Sequence, residues 1–279
     1  YQVLTTKKGG VYAHLDLFDS HDWGLIIYDE VHLLPAPVFR FTADIQSRRR
    51  LGLTATLVRE DGMEGEVFSL IGPKRYDVPW KEIEAQGYIA PADCVEVRIT
   101  LTDAERLNYA TAEQEDRYRF CATSQTKKDV AIALAKQHAN DQVLVIGQYL
   151  EQLDQLSEAL GVPVIKGETP VKERERLFAL FRTGEIKCLV VSKVANFSID
   201  LPEATIAIQV SGTFGSRQEE AQRLGRILRP KADGRTARFY SLVARDTVDQ
   251  DFAQNRQRFL AEQGYAYRII DADEVINKN

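Results

Sequence analysis

From residue 94 onward, short apolar runs alternate with segments whose apolar residues recur every three or four positions. The runs fall at 94–101, 142–146, 162–165, 188–191, 205–210 and 237–243, and the helix-period segments at 127–138, 150–160, 171–181, 217–228 and 247–263. An unbroken apolar run is how a strand buried on both faces reads. Strands and helices taking turns at this spacing predict an α/β fold, a parallel sheet covered by helices. The boundary residues agree. Gly161 follows 150–160, Thr169-Pro170 opens 171–181, and a short helix at 81–86 stops at Gly87. Thr102-Asp103-Ala104-Glu105 has the pattern of a capping box, opening a charged helix expected to run to about residue 120. The run at 94–101 alternates instead, with Val95, Val97 and Ile99 on one face.

Earlier in the chain, Leu25-Ile26-Ile27-Tyr28 ends abruptly in Asp29-Glu30-Val31-His32. Open α/β sheets bind ligands beyond the carboxyl ends of their strands. An Asp at such an end can hold Mg²⁺ against phosphates, and a neighbouring Glu can orient or deprotonate a water. Read alone, the pair is first of all a strand end with solvated acids. Further on, Leu51-Gly52-Leu53 leads into Thr54-Ala55-Thr56, hydroxyls placed to bridge to a neighbouring carboxylate or histidine. A G-x-x-x-x-G-K-[ST] phosphate loop occurs nowhere. The chain opens on the strand-like Tyr1-Gln2-Val3-Leu4-Thr5-Thr6, so it reads as a fragment whose phosphate loop lies upstream.

Strand ends recur in the second half as Gln148, Ser192-Lys193 and Ser211-Gly212-Thr213. Hydroxyls and a lysine there suit contacts to a phosphate backbone, which position without reading sequence. Gln222-Arg223-Leu224-Gly225-Arg226-Ile227-Leu228-Arg229 carries three arginines on a predicted helix, with Gly225 expected to permit close backbone approach. Arg226 and Arg229 share one face, and two adjacent guanidinium groups repel unless an anion lies between them. His14, His21 and His138 are expected at the surface. The net charge of −5 means that any nucleic-acid binding depends on a local basic surface. Cys94, Cys121 and Cys188 are too scattered for a disulfide framework or zinc site and fit a reducing, cytoplasmic compartment. No apolar run approaches the ~18 residues of a membrane span.

Asp29-Glu30-Val31-His32 followed by Leu51-Gly52-Leu53-Thr54-Ala55-Thr56 resembles motifs II and III of superfamily 2 helicases. Arg59-Glu60-Asp61 just beyond resembles the XPB family of DNA repair helicases, where that triplet is linked to strand separation. Gln148-Tyr149 resembles motif IV. Ser192-Lys193-Val194 with Ser198-Ile199-Asp200-Leu201-Pro202 resembles motif V, and Gln222 to Arg229 motif VI. Ala195-Asn196-Phe197 stands where eukaryotic members have Gly-Asp-Thr. The likeness is to bacterial members and covers most of the chain.

That resemblance implies two RecA-like lobes, 1–89 (truncated at its start) and 90–279, the second with a helical thumb at about 103–121. It implies ATP and Mg²⁺ in a cleft between the lobes. Asp29, with Glu30, would hold the metal, and Glu30 would activate water. Asp200, Arg226 and Arg229 would serve the nucleotide, while His32, Thr54, Thr56 and Gln222 would couple the filled cleft to lobe closure. Gln148, Ser192 and Lys193 would hold DNA. Arg59, Glu60 and Asp61, with the thumb, would meet the single-strand/duplex junction of a fork. The implied activity is 3′ to 5′ unwinding in nucleotide excision repair, with a repair nuclease as a possible partner and no membrane. The fragment by itself is expected to be inactive. A duplex translocase that leaves the strands paired, and a non-catalytic nucleic-acid-binding scaffold, remain open as alternatives.

Overall fold

The computed structural model describes residues 6–8, 11–12, 14, 16, 18, 20–33, 45, 47–54, 64–192, 204–213, 216, 220–221, 223–225, 234 and 236–277. The chain divides into two compact units, Tyr1–Asp77 and Val78–Asn279. The stretch 38–45, which follows Pro35 and Pro37 and reads from sequence as a short helix, lies outside the described residues except for Ile45.

In the first unit, β1 (Lys7–Lys8) pairs antiparallel with β2 (Val11–Tyr12). A parallel pair, β3 (Ile26–Asp29) and β4 (Arg50–Leu53), sets Asp29 beside Leu53. On one face Tyr28 and Val31 pack against Val67 of α1 (Glu64–Ile71), with Ile26, Leu70 and Ile71 around them. Gly52 is required there, because a β-carbon would lie 2.8 Å from Val31 Cγ2. Leu25, Ile27, Leu51 and Leu53 are all exposed, Ile27 by 55%.

Among the described residues the second unit is built on seven strands in the order β11-β5-β10-β9-β6-β8-β7, every neighbouring pair parallel. These are β5 (Ala92–Ile99), β6 (Val143–Gly147), β7 (Val164–Ile165), β8 (Cys188–Ser192), β9 (Ile206–Gln209), β10 (Ala237–Ala244) and β11 (Tyr267–Asp271). All of β6 and β9 is buried, as their apolar runs require. Helices whose bounds are described are α2 (Trp80–Ala85), α3 (Asp103–Thr111), α4 (Arg117–Ala122), α5 (Gln125–Gln137), α6 (Leu150–Leu160), α7 (Val171–Thr183), α8 (Val248–Glu262) and α9 (Ala272–Ile276). One core joins Val95, Val97, Val145 and Ile208 of the sheet to Val130, Leu134, Leu153 and Leu156 of α5 and α6.

The single helix expected from 103 to about 120 is two helices, parted at Ala112, whose backbone is extended. The reason is phase. Tyr109 and Tyr118 are nine residues apart, so at 3.6 residues per turn one straight helix would point them in opposite directions. With the break, both pack on the same small core of Leu101, Cys121, Ala122 and Ala244. The expected capping box is present: Glu105 N–H donates to Thr102 Oγ1 at 3.3 Å, and Thr102 N–H to Glu105 Oε2 at 2.9 Å.

Candidate functional site

Asp29 is the last residue of β3, and the chain turns at once through Glu30, whose φ of 51° is left-handed and rare for a residue with a β-carbon. Glu30 N–H donates to Asp29 Oδ1 at 3.0 Å, closing the turn. A 3-10 helix, Val31–Leu33, then carries His32 inward until 1% of it is exposed. Because β4 runs parallel to β3 in this register, Thr54 emerges at the same end of the pair. His32 Nδ1 lies 2.8 Å from Thr54 Oγ1 and 3.3 Å from Glu30 Oε2. The two motifs, 22 residues apart in sequence, therefore meet through one imidazole nitrogen. Asp29 and Glu30 stay exposed. Two accessible carboxylates at a strand's carboxyl end are hard oxygen donors of the kind Mg²⁺ accepts while keeping several waters. The donor set fits that ion.

In the second unit, Gly147 of β6 pairs with Ser192 of β8, so Gln148 and Ser192 share one rim of the sheet. Gln148 N–H donates to Ser211 Oγ at 2.8 Å. Ser192 Oγ and Gln148 Oε1 are buried and have no hydrogen-bond partner among the described residues, which leaves each able to bond a ligand group. Near this rim Asp116, Arg119, Phe120, Lys128, Tyr149 and Gln155 line an open cavity of about 670 Å³ between α4 and α6. Phe120 is 47% exposed, an aromatic face held next to cationic side chains. Tyr118 and Cys121, by contrast, face inward from α4.

The arginine-rich stretch divides. Glu220, Ala221, Arg223, Leu224 and Gly225 are helical. Arg223 is an internal residue, 1% exposed, with Nη1 donating to Gln209 Oε1 at 2.5 Å and to Ser211 O at 3.4 Å. Gln209 Nε2 in turn donates to Glu220 Oε2 at 2.6 Å. Among the described residues, a β-carbon at Gly225 would sit 3.5 Å from Trp80 Cη2, an ordinary contact. His138 is not a free surface residue. Its Nδ1 lies 3.0 Å from Asp141 Oδ2 and its Nε2 3.0 Å from Tyr240 OH.

Of the residues singled out from sequence, Thr56, Arg59, Glu60, Asp61, Lys193, Asp200, Gln222, Arg226 and Arg229 lie outside the described residues. The structure brings together Asp29, Glu30, His32 and Thr54 in one unit, and Gln148 and Ser192 in the other. Sequence reasoning missed a buried ionic cluster behind the second group. Lys127 Nζ donates to Asp249 Oδ2 at 2.7 Å, Arg256 Nη2 lies 3.4 Å from Asp249 Oδ1, and Arg256 Nε lies 3.6 Å from Glu220 Oε2. All four side chains are 0–1% exposed. Burial by itself would raise the Asp249 carboxyl, but the charges of Lys127 and Arg256 and the bonds to it hold it below the usual carboxylate range. Gln209 was the available signal, a polar residue closing an otherwise apolar strand.

A sequence model of the ERCC3/RAD25/XPB C-terminal helicase family matches residues 83–279. The chain is 74% identical over 275 residues to a DNA 3′-5′ helicase XPB of Kineococcus radiotolerans, covering 99% of this chain and 49% of that protein. It is 70% identical over 276 residues to the protein of that name from Mycobacterium tuberculosis, covering 99% and 50%. The helicase/translocase subunit XPB/SSL2 of general transcription and DNA repair factor IIH from Saccharomyces cerevisiae is 40% identical over 263 residues, covering 92% and 31%. The chain thus spans about half the length of the bacterial relatives it matches. Among solved structures, S. cerevisiae Dbp5 bound to RNA and ADP BeF3 superposes with a TM-score of 0.62 at 15% identity, over 94% of this chain and 64% of that one. The helicase domain of Pyrococcus furiosus Hef gives 0.56 at 13%, over 86% and 76%. At those identities the likeness is one of fold, and the seven-stranded parallel sheet is RecA-like.

Proposed function

Because this chain belongs to the ERCC3/RAD25/XPB C-terminal helicase family, we propose that it is the motor portion of a bacterial-type, ATP-driven 3′-5′ DNA helicase that works in DNA repair in the cytoplasm. The observation that carries the reading is the contact of His32 with both Glu30 and Thr54. An acid at a strand end serves any solvated role, but an acid tied through a buried imidazole to the neighbouring strand end can report its state.

In this reading Asp29 and Glu30 hold Mg²⁺, and Glu30 orients the attacking water or takes its proton. The ion, when bound, neutralises charge on the β- and γ-phosphates of ATP. Arg226 and Arg229 supply positive charge to the transferring phosphoryl group, with Asp200 serving the nucleotide and Thr56 and Gln222 joining His32 and Thr54 in transmitting its presence. Gln148, Ser192 and Lys193 hold the DNA backbone, and the orphaned polar atoms of the first two support that role. Phe120 and Tyr149, with Arg119 and Lys128 beside them, suit unpaired bases, which stack on aromatic faces whatever their sequence. Arg59, Glu60 and Asp61 work at the fork.

The test uses a protein of the length of the bacterial relatives and a forked duplex with a 3′ tail. It is expected to hydrolyse ATP faster with DNA present and to separate the strands. Glu30→Gln lowers turnover by about 10²–10⁴-fold and leaves ATP binding in place, and Arg226→Ala costs about 10³-fold or more. Unchanged turnover in Glu30→Gln overturns the assignment. Hydrolysis without strand separation identifies a duplex translocase instead.

A further inference from the structure

The turn after β9 sits at a crossing of contacts that the proposed chemistry does not use. Ser211 Oγ accepts the backbone N–H of Gln148 at 2.8 Å, on the rim assigned to DNA. Ser211 O accepts from Arg223 at 3.4 Å, on the helical stretch that leads in sequence into Arg226. The hydroxyl of Tyr118 donates to Gly212 O at 2.6 Å and accepts from Gly212 N–H at 3.0 Å. From the other side Arg256 lies flat against Gly212, so that a β-carbon on Gly212 would meet its Cδ and Nε at 2.7 Å.

Arg256 joins the same groups a second way. Its Nε is 3.6 Å from Glu220 Oε2, three residues before Arg223, and its Nη2 is 3.4 Å from Asp249 Oδ1, the carboxylate that also holds Lys127. Its Nη1 is buried with no hydrogen-bond partner among the described residues. A fully buried guanidinium satisfied at only part of its donors is costly to keep, and an apolar side chain would fill the space more cheaply. What Arg256 provides is a fixed distance between the Ser211–Gly212 turn and the helix of Glu220 and Arg223.

We propose that the Ser211–Gly212 turn, clamped by Arg256, couples occupancy of the DNA rim at Gln148 to the helical stretch preceding Arg226. Arg256 is then a positioning residue that touches neither DNA nor nucleotide. Movement of Gln148 pulls on Ser211, and Arg223 and Arg256 pass the displacement to the arginine-bearing stretch. The inference rests on the helicase reading above.

The experiment is Arg256→Lys in the relative-length protein, which keeps the charge and removes the fork. The expected result is that stimulation of ATP hydrolysis by single-stranded DNA drops ~5-fold or more, the ordinary lower range of coupling between sites. Hydrolysis without DNA and the dissociation constant for DNA stay at wild-type values. Stimulation retained in full overturns the proposal, and so does a proportional loss with and without DNA, which marks a purely structural residue. Should Arg256→Lys not fold, hydrogen exchange on the wild-type protein decides: single-stranded DNA without nucleotide should change protection at residues 211–213 and 220–225, and unchanged exchange there overturns the coupling. A wild-type protein that hydrolyses no ATP brings down the helicase reading instead, and the exchange response to DNA still tests the junction by itself.

Discussion

The two units end their strands in the same kind of polar residue and secure them in opposite ways. In the first, exposed Asp29 and Glu30 and buried His32 hold one another and Thr54 across a two-stranded sheet whose other face leaves Ile27 and Leu51 in solvent. In the second, the strand-end turn at Ser211 and Gly212 is backed by Lys127, Asp249, Arg256, Glu220 and Arg223, charged groups sealed inside the protein. A site that must trade ligands with water can rest on a few accessible hydrogen bonds, worth about 1–3 kcal/mol each. One that must keep two elements at a set distance needs interactions that are expensive to break. The contrast teaches that similar strand ends are built for different duties, one chemical and one mechanical.

The sharpest way to break this contrast is to remove the shared carboxylate. Asp249→Ala takes from buried Lys127 its anion and leaves Arg256 with Glu220 alone at 3.6 Å, and should cost about 3–5 kcal/mol. Urea unfolding followed by Trp80, which packs edge-on against Phe259 at 5.8 Å, reads this unit alone in a Trp23→Phe background. A loss no larger than that of a surface substitution would show that the cluster has no mechanical weight. Gly212→Ala comes next. The added methyl must displace Arg256, an overpacking cost of about 1–3 kcal/mol, visible in the same titration.

Alkaline pH separates the units by a different property. Burial pushes the Cys94 thiol from 9.0 up to about 12 and the Cys188 thiol up to about 11. Burial also raises the Tyr118 and Tyr267 phenols. These groups fold in the neutral form, so their contribution is complete below the unfolded pKa and is lost as pH rises through the folded one. The second unit should lose about 1–2 kcal/mol between about pH 8 and pH 9.5. Equal stability of the Trp80 signal at the two pH values would contradict that burial. The smallest effect is expected from Thr54→Val in the first unit, about 1 kcal/mol, because His32 Nδ1 still has Glu30 at 3.3 Å. A loss as large as that of Asp249→Ala would erase the difference between the units.

Local pattern carried much of the second unit. Gly161 ends α6 in the left-handed conformation, and Thr102 with Glu105 opens α3, each a matter of a few adjacent residues. The edge strand β11 was not legible. Tyr267, Arg268, Ile269, Ile270 and Asp271 give no clear alternation, and an edge strand has one partner and a half-exposed surface to advertise it. In β5, Val95, Val97 and Ile99 share a buried face as read, but the other face is not solvent. Glu96 lies on its second face and is buried too, held by Arg98 at 2.7 Å and Gln257 at 2.8 Å. A charged residue in a strand announces solvent unless its partners, here up to 161 positions away, are known.

The same limit divides the site. Asp29, Glu30, His32 and Thr54 could be grouped from the sequence because their order and spacing resemble motifs II and III, whereas residue type and strand-end position by themselves also fit solvated acids. The three arginines of 223–229 could not be sorted, since their spacing on a helix says which share a face and not which face is inward. Chain order by itself determined the alternating layers and the acidic strand end, both consequences of short-range periodicity and turn chemistry. Tertiary structure alone decided that Arg223 and Arg256 are internal and that Gly212 is the point on which they bear. Arg223 and Ser211 are 12 positions apart and Lys127 and Asp249 are 122, and only the folded chain brings such residues together.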